Sequence, residues 1–151
     1  MGFFRLLFKA RLEGVQEVVP AEGKEWVLGV KCSSCGEDHH KEVIVDPTKQ
    51  QEHSGTRGTF NFIMKCKFCD HLGTINFRSA KSYKSNEEMQ EVADLECRGL
   101  IVTKWEPGPN WAIVTSSGKQ FEESLEESDW CEYDEDLEQV VGVYEIQTDV
   151  S

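Results

Sequence analysis

The chain has 151 residues and a mass of 17.2 kDa, with 16 Lys and Arg against 28 Asp and Glu, so its formal net charge is −12. A chain of this length can bury a core without needing a metal or a disulfide for that reason alone. An apolar content of 38%, with 8 Phe and 4 Trp, excludes a disordered chain and predicts a soluble globular protein of one or two domains.

The negative charge lies at one end of the sequence. All 16 basic residues occur at or before Lys119, and the last thirty residues carry the whole net charge of −12. Within them, the segment 122–138 contains ten acidic residues and no Lys or Arg. Such a segment repels phosphate backbones and is typical of a solvated surface.

The first predicted element is a strand over residues 4–12, where apolar residues alternate with mostly charged ones. Arg5, Lys9 and Arg11 interrupt this segment and no small-residue cleavage site follows it, so we do not expect a signal peptide. The sequence contains no run of eighteen apolar residues, which predicts no transmembrane helix. We therefore expect a cytoplasmic protein that does not bind membranes, with the nucleus left open.

Alternating apolar residues also lead into two cysteine pairs. Residues 26–30 alternate in front of Cys32, and residues 60–64 alternate in front of Cys66. Ile75 and Phe77 lie just beyond the second pair. Each pair is therefore predicted at the tip of a β-hairpin.

The second half of the chain has the same character. Residues 92–100, 111–115 and 140–146 carry β-branched and aromatic side chains, and the turn-forming segments 107–109 and 116–118 separate them. Helical periodicity is weak, and only 86–91 and 122–127 are predicted as short helical turns. The sequence thus predicts an all-β fold, mostly antiparallel.

Four of the six cysteines form two pairs, Cys32 with Cys35 and Cys66 with Cys69, with two residues inside each pair and thirty between the pairs. Two such turns can supply four thiolates to one tetrahedral ion. Unrelated buried cysteines, disulfides or a redox pair are the alternatives. The spacing and the absence of a secretion signal favour a metal site, with Zn²⁺ rather than iron, one ion per chain.

Four thiolates complete the coordination of zinc, so the site is predicted to be structural rather than catalytic. Gly36 and Gly73 are expected to allow the backbone bends beside the cysteines, and Lys31, Lys65 and Lys67 to offset the charge of the thiolates.

The remaining histidines and cysteines are expected to lie outside the coordination sphere. His71 is expected beside the site rather than in it, and His39 and His40 in a loop. Cys97 is interpreted as a packing residue, and Cys131 is given no metal role.

A faint internal similarity links the two halves. Gly14 and Gly99 each end a similar segment, and each is followed by a proline and then by a strand that contains Trp26 or Trp111. The similarity indicates either a duplication or a chance recurrence. We predict two related antiparallel β modules packed as one unit: a zinc-binding half over residues 1–84, and a metal-free half over residues 85–151 with the acidic segment 122–138.

The sequence resembles the eukaryotic CXXC-motif-containing zinc-binding protein family over nearly its whole length. The motifs that carry the resemblance are the two cysteine pairs, Gly55-Thr56-Arg57-Gly58, Glu96-Cys97-Arg98-Gly99-Leu100, Asp129-Trp130, Tyr133-Asp134 and Gly142-Val143-Tyr144-Glu145. The resemblance implies zinc on Cys32, Cys35, Cys66 and Cys69, an all-β fold of two related halves, and no established enzymatic activity.

Two arginines in these motifs also have physical interpretations. Arg98 can form a bidentate contact with the carboxylate of Asp129 or Asp134 and so fix the acidic segment to the sheet. Arg57, between two glycines, lies either in a hairpin turn or in an anion-binding loop.

These observations favour a non-catalytic, monomeric protein–protein interaction module whose protein partner the sequence does not identify. The alternative is a zinc-ribbon-like nucleic-acid-binding protein, because Lys31, Lys65, Lys67 and Phe68 surround the cysteines. A pI near 4.7 disfavours that alternative, and nucleic acid is not the expected partner. No catalytic motif is found in the sequence, so we do not expect an enzyme.

Overall fold

The computed structural model describes residues 2–55, 57–126 and 129–151. Within these residues the chain forms twelve β-strands and no helix, which confirms the all-β prediction. The described part of the chain accordingly offers no helix that could span a membrane. The strands are β1 (Gly2–Glu13), β2 (Val15–Pro20), β3 (Trp26–Cys32), β4 (Asp38–Val45), β5 (Phe62–Lys65), β6 (Leu72–Ala80), β7 (Gln90–Arg98), β8 (Leu100–Glu106), β9 (Trp111–Thr115), β10 (Gln120–Glu123), β11 (Trp130–Asp134) and β12 (Gln139–Val150).

Strand β1 shows how the alternating sequence determines the fold. Leu6, Phe8, Ala10 and Leu12 are buried, whereas the residues between them are half-buried. Side chains two residues apart share one face of a strand, so this face of β1 packs on the core. The predicted strand over 4–12 is confirmed and extends by one or two residues at each end.

The predicted helical turns over 86–91 and 122–127 are wrong. Asn86 accepts a hydrogen bond from the N–H of Leu12 (2.8 Å), and its amide group donates to the Leu12 carbonyl (3.3 Å). It therefore caps the end of β1, and the chain turns into β7. Residues 122 and 123 belong to β10, and residue 127 lies outside the described residues. The loop predicted for His39 and His40 is also wrong, because both residues lie in β4.

The strands form one six-stranded sheet and two three-stranded sheets, and the named strand pairs are antiparallel. The large sheet has the order β11-β12-β1-β7-β6-β5. The small sheets have the orders β10-β9-β2 and β4-β3-β8. Strands from residues 1–84 and from residues 85–151 therefore share every sheet, while the division at residue 84 stays a prediction.

The strand pairing has a two-fold pattern: replacing β1 to β6 by β7 to β12 in the same order, and the reverse, gives the same three sheets. Strands β1 and β7 pair at the centre of the large sheet, and β2 pairs with β9 as β8 pairs with β3. Gly14 (φ 66°) and Gly99 (φ 75°) form the corresponding bends, since both need a left-handed backbone. They are 85 residues apart, as are Trp26 and Trp111. The similarity noted in the sequence thus coincides with a two-fold pattern of strand pairing.

An aromatic cluster fills the core between the sheets. Trp26 lies 5.8 Å from Trp105 and 5.9 Å from Trp111, measured between ring centres, and Phe8 lies 5.0 Å from Tyr83. All five side chains are at most 2% exposed. Rings at these separations add attraction beyond the burial of apolar area, so the cluster joins both halves.

Lys24 is buried beside this cluster, with only 2% of its surface exposed. Its Nζ donates to the carbonyls of Pro107 and Pro109, both at 2.6 Å, and lies 4.6 Å from the ring centre of Trp111. Burial lowers the pKa of Lys24 to about 8, against the opposite effect of Glu126. The ammonium group thus holds the β8–β9 turn against the turn before β3.

We expect the contribution of Lys24 to stability to increase with pH. The folded chain binds fewer protons than the unfolded chain between pH 8 and 10.5, so the free energy of unfolding rises across this range relative to a Lys24→Met variant. The pKa shift corresponds to about 3 kcal/mol. Urea unfolding at several pH values measures the difference, with the exposed Lys49→Met as the control. A difference between wild type and Lys24→Met that does not change with pH would contradict this prediction.

Candidate metal centre

The first cysteine turn connects β3 to β4, as the sequence predicts. The carbonyl of Cys32 accepts the N–H of Gly36, and the N–H of Cys32 donates to the carbonyl of Glu37, both at 2.9 Å. Gly36 has φ 76°, which an L side chain rarely adopts. This compact turn places Cys35 close to Cys32.

The second turn connects β5 to β6 and repeats this backbone pattern. The carbonyl of Cys66 accepts the N–H of Asp70 at 3.0 Å, and the N–H of Cys66 donates to the carbonyl of His71 at 2.9 Å. Asp70 takes the left-handed conformation here, with φ 61°. The expectation that Gly73 provides this bend is therefore wrong. Gly73 instead leaves room for the side chain of Leu100, since a Cβ on Gly73 would lie 2.5 Å from the Leu100 Cγ.

The two turns bring the four sulfur atoms together. The Sγ atoms of Cys32 and Cys69 are 3.6 Å apart, those of Cys35 and Cys66 are 3.7 Å apart, and all four lie within 4.8 Å of one another. A tetrahedron with Zn–S bonds of about 2.3 Å has edges of about 3.8 Å. A disulfide needs a separation of about 2.05 Å, and all four cysteines are free. The cluster therefore fits a metal ion held by four thiolates.

Each turn supplies one buried and one exposed sulfur-bearing residue. Cys32 and Cys66 are 1% and 3% exposed, whereas Cys35 and Cys69 are exposed. Cys32 ends the buried strand β3 and Cys66 follows the edge strand β5, whereas Cys35 and Cys69 face solvent. The cluster thus lies at the surface of the protein but is anchored in the core.

The thiols of the cluster differ in acidity. A hydrogen bond from the backbone of Cys35 lowers the pKa of Cys32 to about 7, with burial opposing it and further hydrogen bonds from Ser34, Cys69 and Cys35 supporting it. The backbone of Glu37 lowers the pKa of Cys35, but burial and the neighbouring thiols outweigh this effect and raise it to about 12. Several thiolates at this spacing repel each other, and a dication removes that repulsion.

His71, Cys97 and Cys131 do not belong to the cysteine cluster, as the sequence predicts. Among the described residues, the one group of His, Cys, Asp and Glu able to hold a metal is formed by these four cysteines. His71 contributes its backbone carbonyl to the second turn. Cys97 is 1% exposed, which confirms a packing role, and burial raises its pKa to about 12. Cys131 is exposed on β11.

A family model for the eukaryotic CXXC motif containing zinc binding protein matches residues 5–151. The chain belongs to this family. The bovine CXXC motif containing zinc binding protein is 35% identical over 97% of this chain and 96% of its own length, and the human protein of that name is 33% identical over the same shares. The protein is thus a member of a zinc-binding family with a cysteine cluster fit for a metal.

Two solved structures have the same fold as this family member. The crystal structure of C1orf123 has a TM-score of 0.93 and 31% sequence identity, and covers 99% of both chains. A hypothetical protein from Plasmodium falciparum has a TM-score of 0.91 and 27% identity over the full length of both chains. The all-β arrangement is therefore a shared architecture.

A polar cluster in the other half occupies the position that corresponds to the cysteines. Ser117 lies 85 residues after Cys32, in the β9–β10 turn, and Asp134 ends β11 as Cys66 follows β5. The Asp134 Oδ2 accepts hydrogen bonds from Thr115 Oγ1 (2.5 Å) and Ser117 Oγ (2.8 Å). Hydrogen bonds therefore join these two turns where sulfur atoms join the other two.

The remaining oxygen of Asp134 is also occupied. Its Oδ1 accepts the N–H groups of Asp136 (2.9 Å) and Leu137 (3.3 Å). The hydroxyl of Thr115, followed by that of Ser117 and these N–H groups, holds the pKa of Asp134 below its usual value, with burial acting in the opposite direction. We call Thr115, Ser117 and Asp134 the carboxylate clamp. In the sequence, the 85-residue offset that relates Gly14 to Gly99 also relates Cys32 to Ser117, but it does not relate Cys66 to Asp134.

The structure gives other partners to the carboxylates expected to bind Arg98. Asp134 belongs to the carboxylate clamp, and Asp129 accepts the N–H of Glu145 at 2.9 Å. Arg98 lies 3.7 Å from the carboxylate of Glu96, its neighbour on the same face of β7. The anion-binding interpretation of Gly55–Gly58 includes residue 56, which lies outside the described residues.

We expect Asp134→Ala to destabilise the fold while the cysteine cluster keeps its metal affinity. The substitution leaves two hydroxyls and two N–H groups without their acceptor. Thermal unfolding should show a midpoint lowered by roughly 5 °C or more. Because the pKa of Asp134 is lowered on folding, the difference from wild type should disappear as the pH falls through the carboxylate range. An unchanged midpoint near neutral pH would contradict the clamp.

Proposed function

We propose that the protein holds one Zn²⁺ per chain on Cys32, Cys35, Cys66 and Cys69, and that it serves as a non-catalytic protein–protein interaction module. The observation that carries this proposal is the approach of four free sulfur atoms to within 4.8 Å of one another. Both sulfur contacts, at 3.6 and 3.7 Å, match the edges of a zinc–thiolate tetrahedron.

A structural rather than catalytic role follows from the number of sulfur ligands. Four thiolates complete the coordination of zinc and leave no position for water or substrate. The ion supplies a cross-link between the β3–β4 and β5–β6 turns, which belong to different sheets. Lys65 and Lys67 are exposed beside the site and offset its net charge of −2.

The buried ionisable groups away from the cysteines support a non-catalytic protein. Lys24 donates to two backbone carbonyls, and Asp134 has partners on both carboxylate oxygens. A general acid or base needs a proton position that substrate can reach. Both groups are instead enclosed by their own chain.

Exposed apolar side chains and the acidic segment support an interaction role. Phe68, Tyr133 and Val140 are each at least half exposed, and the segment 122–138 carries ten acidic residues. Apolar side chains surrounded by charge are common at protein interfaces. The acidic charge steers basic partners, most strongly at low salt.

The zinc assignment predicts the behaviour of a Cys66→Ser variant. It should lose zinc to a chelator concentration that leaves the wild type loaded, because serine does not supply the thiolate that Cys66 contributes. A structural zinc contributes about 10 to 16 kcal/mol to folding in small peptide systems, so the loss should also destabilise the fold. Elemental analysis after chelation measures the loss, and Cys131→Ser is the matched control. Retention of one zinc per chain by Cys66→Ser would contradict the assignment. X-ray absorption showing an oxygen ligand on the zinc of the wild type would contradict saturation by sulfur.

One observation favours nucleic-acid binding as a second candidate. Phe68 is 67% exposed at the tip of the second cysteine turn, next to the exposed Lys67. An exposed ring beside a cation can stack a base and hold a phosphate. The large excess of acidic residues opposes such binding.

We expect the zinc-loaded protein not to bind a single-stranded RNA at about 0.15 M salt, where charge repulsion is only partly screened. Fluorescence anisotropy with a labelled oligonucleotide measures this, and Phe68→Ala tests whether any binding uses the exposed ring. RNA binding that Phe68→Ala abolishes would support the nucleic-acid alternative instead.

A further inference from the structure

We propose that strand β11 binds an extended, basic segment of a partner protein, which adds to the six-stranded sheet as a further strand. This inference rests on the proposed interaction function and names the surface and the chemistry of the partner. It is carried by the free edge of β11, by an exposed apolar pair beside that edge, and by the charge around both.

Strand β11 forms one edge of the six-stranded sheet. Within the described residues its backbone pairs with β12 alone. The N–H of Tyr133 donates to the side chain of Glu132 at 3.2 Å rather than to a strand. In an antiparallel strand the N–H groups of alternate residues point the same way, so Cys131 presents its N–H on this side too. A sheet edge with such groups is a template for another strand.

The two edges of the sheet differ. Strand β5, at the opposite edge, has only four residues, and the loop before it is bound to its start by Asn61, which donates to the carbonyl of Lys49 at 2.8 Å. In the described part of the connection before β11, the N–H of Leu125 donates to the carbonyl of Gly108 at 2.9 Å. The loop before β5 is thus bound to the start of that strand, whereas among the described residues no segment pairs with the outer side of β11.

An apolar pair lies beside the free edge. Tyr133 and Val140 are opposite each other in the β11–β12 pairing, and they are 50% and 55% exposed. Cross-strand neighbours of this kind form one continuous surface. An added strand would cover part of it with an aliphatic or aromatic side chain.

The charge around the edge selects the partner. Residues 129–138 contain six acidic residues and no Lys or Arg, and all six except Asp134 are exposed. A strand with Lys or Arg at alternate positions would place its cations near these carboxylates and its apolar residues near Tyr133. A second copy of β11 fits poorly, because antiparallel pairing about its central residue places Glu132 opposite Glu132.

The test uses the zinc-loaded full chain and a fluorescein-labelled peptide, Lys-Val-Lys-Tyr-Lys-Val-Lys. Fluorescence anisotropy measures binding, and amide hydrogen exchange measures protection of Cys131 and Tyr133. We expect binding at about 0.15 M salt, slower exchange of both amides, and about fivefold weaker binding by Glu132→Lys. The control is Glu52→Lys, which changes the charge equally in an exposed loop of the other half.

Two N-methylated peptides separate strand addition from simple charge attraction. One carries the methyl groups on its Lys amides and the other on its apolar amides. An added strand uses one side of its backbone, so one peptide should lose binding and the other should keep it.

Several outcomes would overturn the proposal. In the binding assay, these are equal binding of both N-methylated peptides, or equal weakening of peptide binding by Glu52→Lys and Glu132→Lys. In the exchange experiment, they are an unchanged amide exchange rate at Tyr133 when the peptide is added, or protection of the Tyr133 amide that rises with protein concentration alone. Failure of peptide binding by protein that retains its zinc would reject this surface only. The zinc assignment has a separate test, which is the metal content of the Cys66→Ser variant after chelation.

Discussion

The approach of Cys32, Cys35, Cys66 and Cys69 is the contact on which the arrangement of this protein depends. The first two cysteines lie at the tip of a hairpin that belongs to a three-stranded sheet, and the other two lie at a tip of the six-stranded sheet. A metal held by all four sulfurs, as we propose, would link these two sheets. On the opposite side of the two-fold pattern the carboxylate clamp makes the equivalent connection between the six-stranded sheet and the other three-stranded one.

Each of the two connections joins a three-stranded sheet to the six-stranded sheet, but the chemistry differs. A thiolate cluster requires an ion and a reducing environment, whereas Asp134 needs only its ionised carboxylate and the hydroxyls of Thr115 and Ser117. A chelator therefore acts on the first connection and acid on the second. Between them lies the aromatic cluster, to which both halves contribute and against which Lys24 is held. Packing of the aromatic cluster thus stabilises the centre of the molecule. The cysteine cluster connects the sheets on one side of it, and the carboxylate clamp connects them on the other.

The sequence was sufficient for the local features and for the two turns that carry the cysteine cluster. Alternation over residues 4–12 and the strand-to-cysteine transitions predicted β1 and both cysteine turns, because side-chain periodicity and turn chemistry are encoded by near neighbours. Pairing partners are not encoded in this way. The contact of β1 with β7 and β12 and the bond from Ser117 to Asp134 depend on residues far apart in the chain. Charge alone likewise does not tell which carboxylate lies near Arg98, whose neighbour on the same strand, Glu96, is 3.7 Å away.

The interleaved pairing has a consequence for biosynthesis. Strand β1 is synthesised before both of its neighbours, β7 and β12, which belong to the second half of the sequence. The cysteine hairpins can capture an ion while translation continues, because their contacts are comparatively local. The six-stranded sheet cannot close until β12 has been synthesised, so until then the long apolar strand β1 has at most one of its two neighbours.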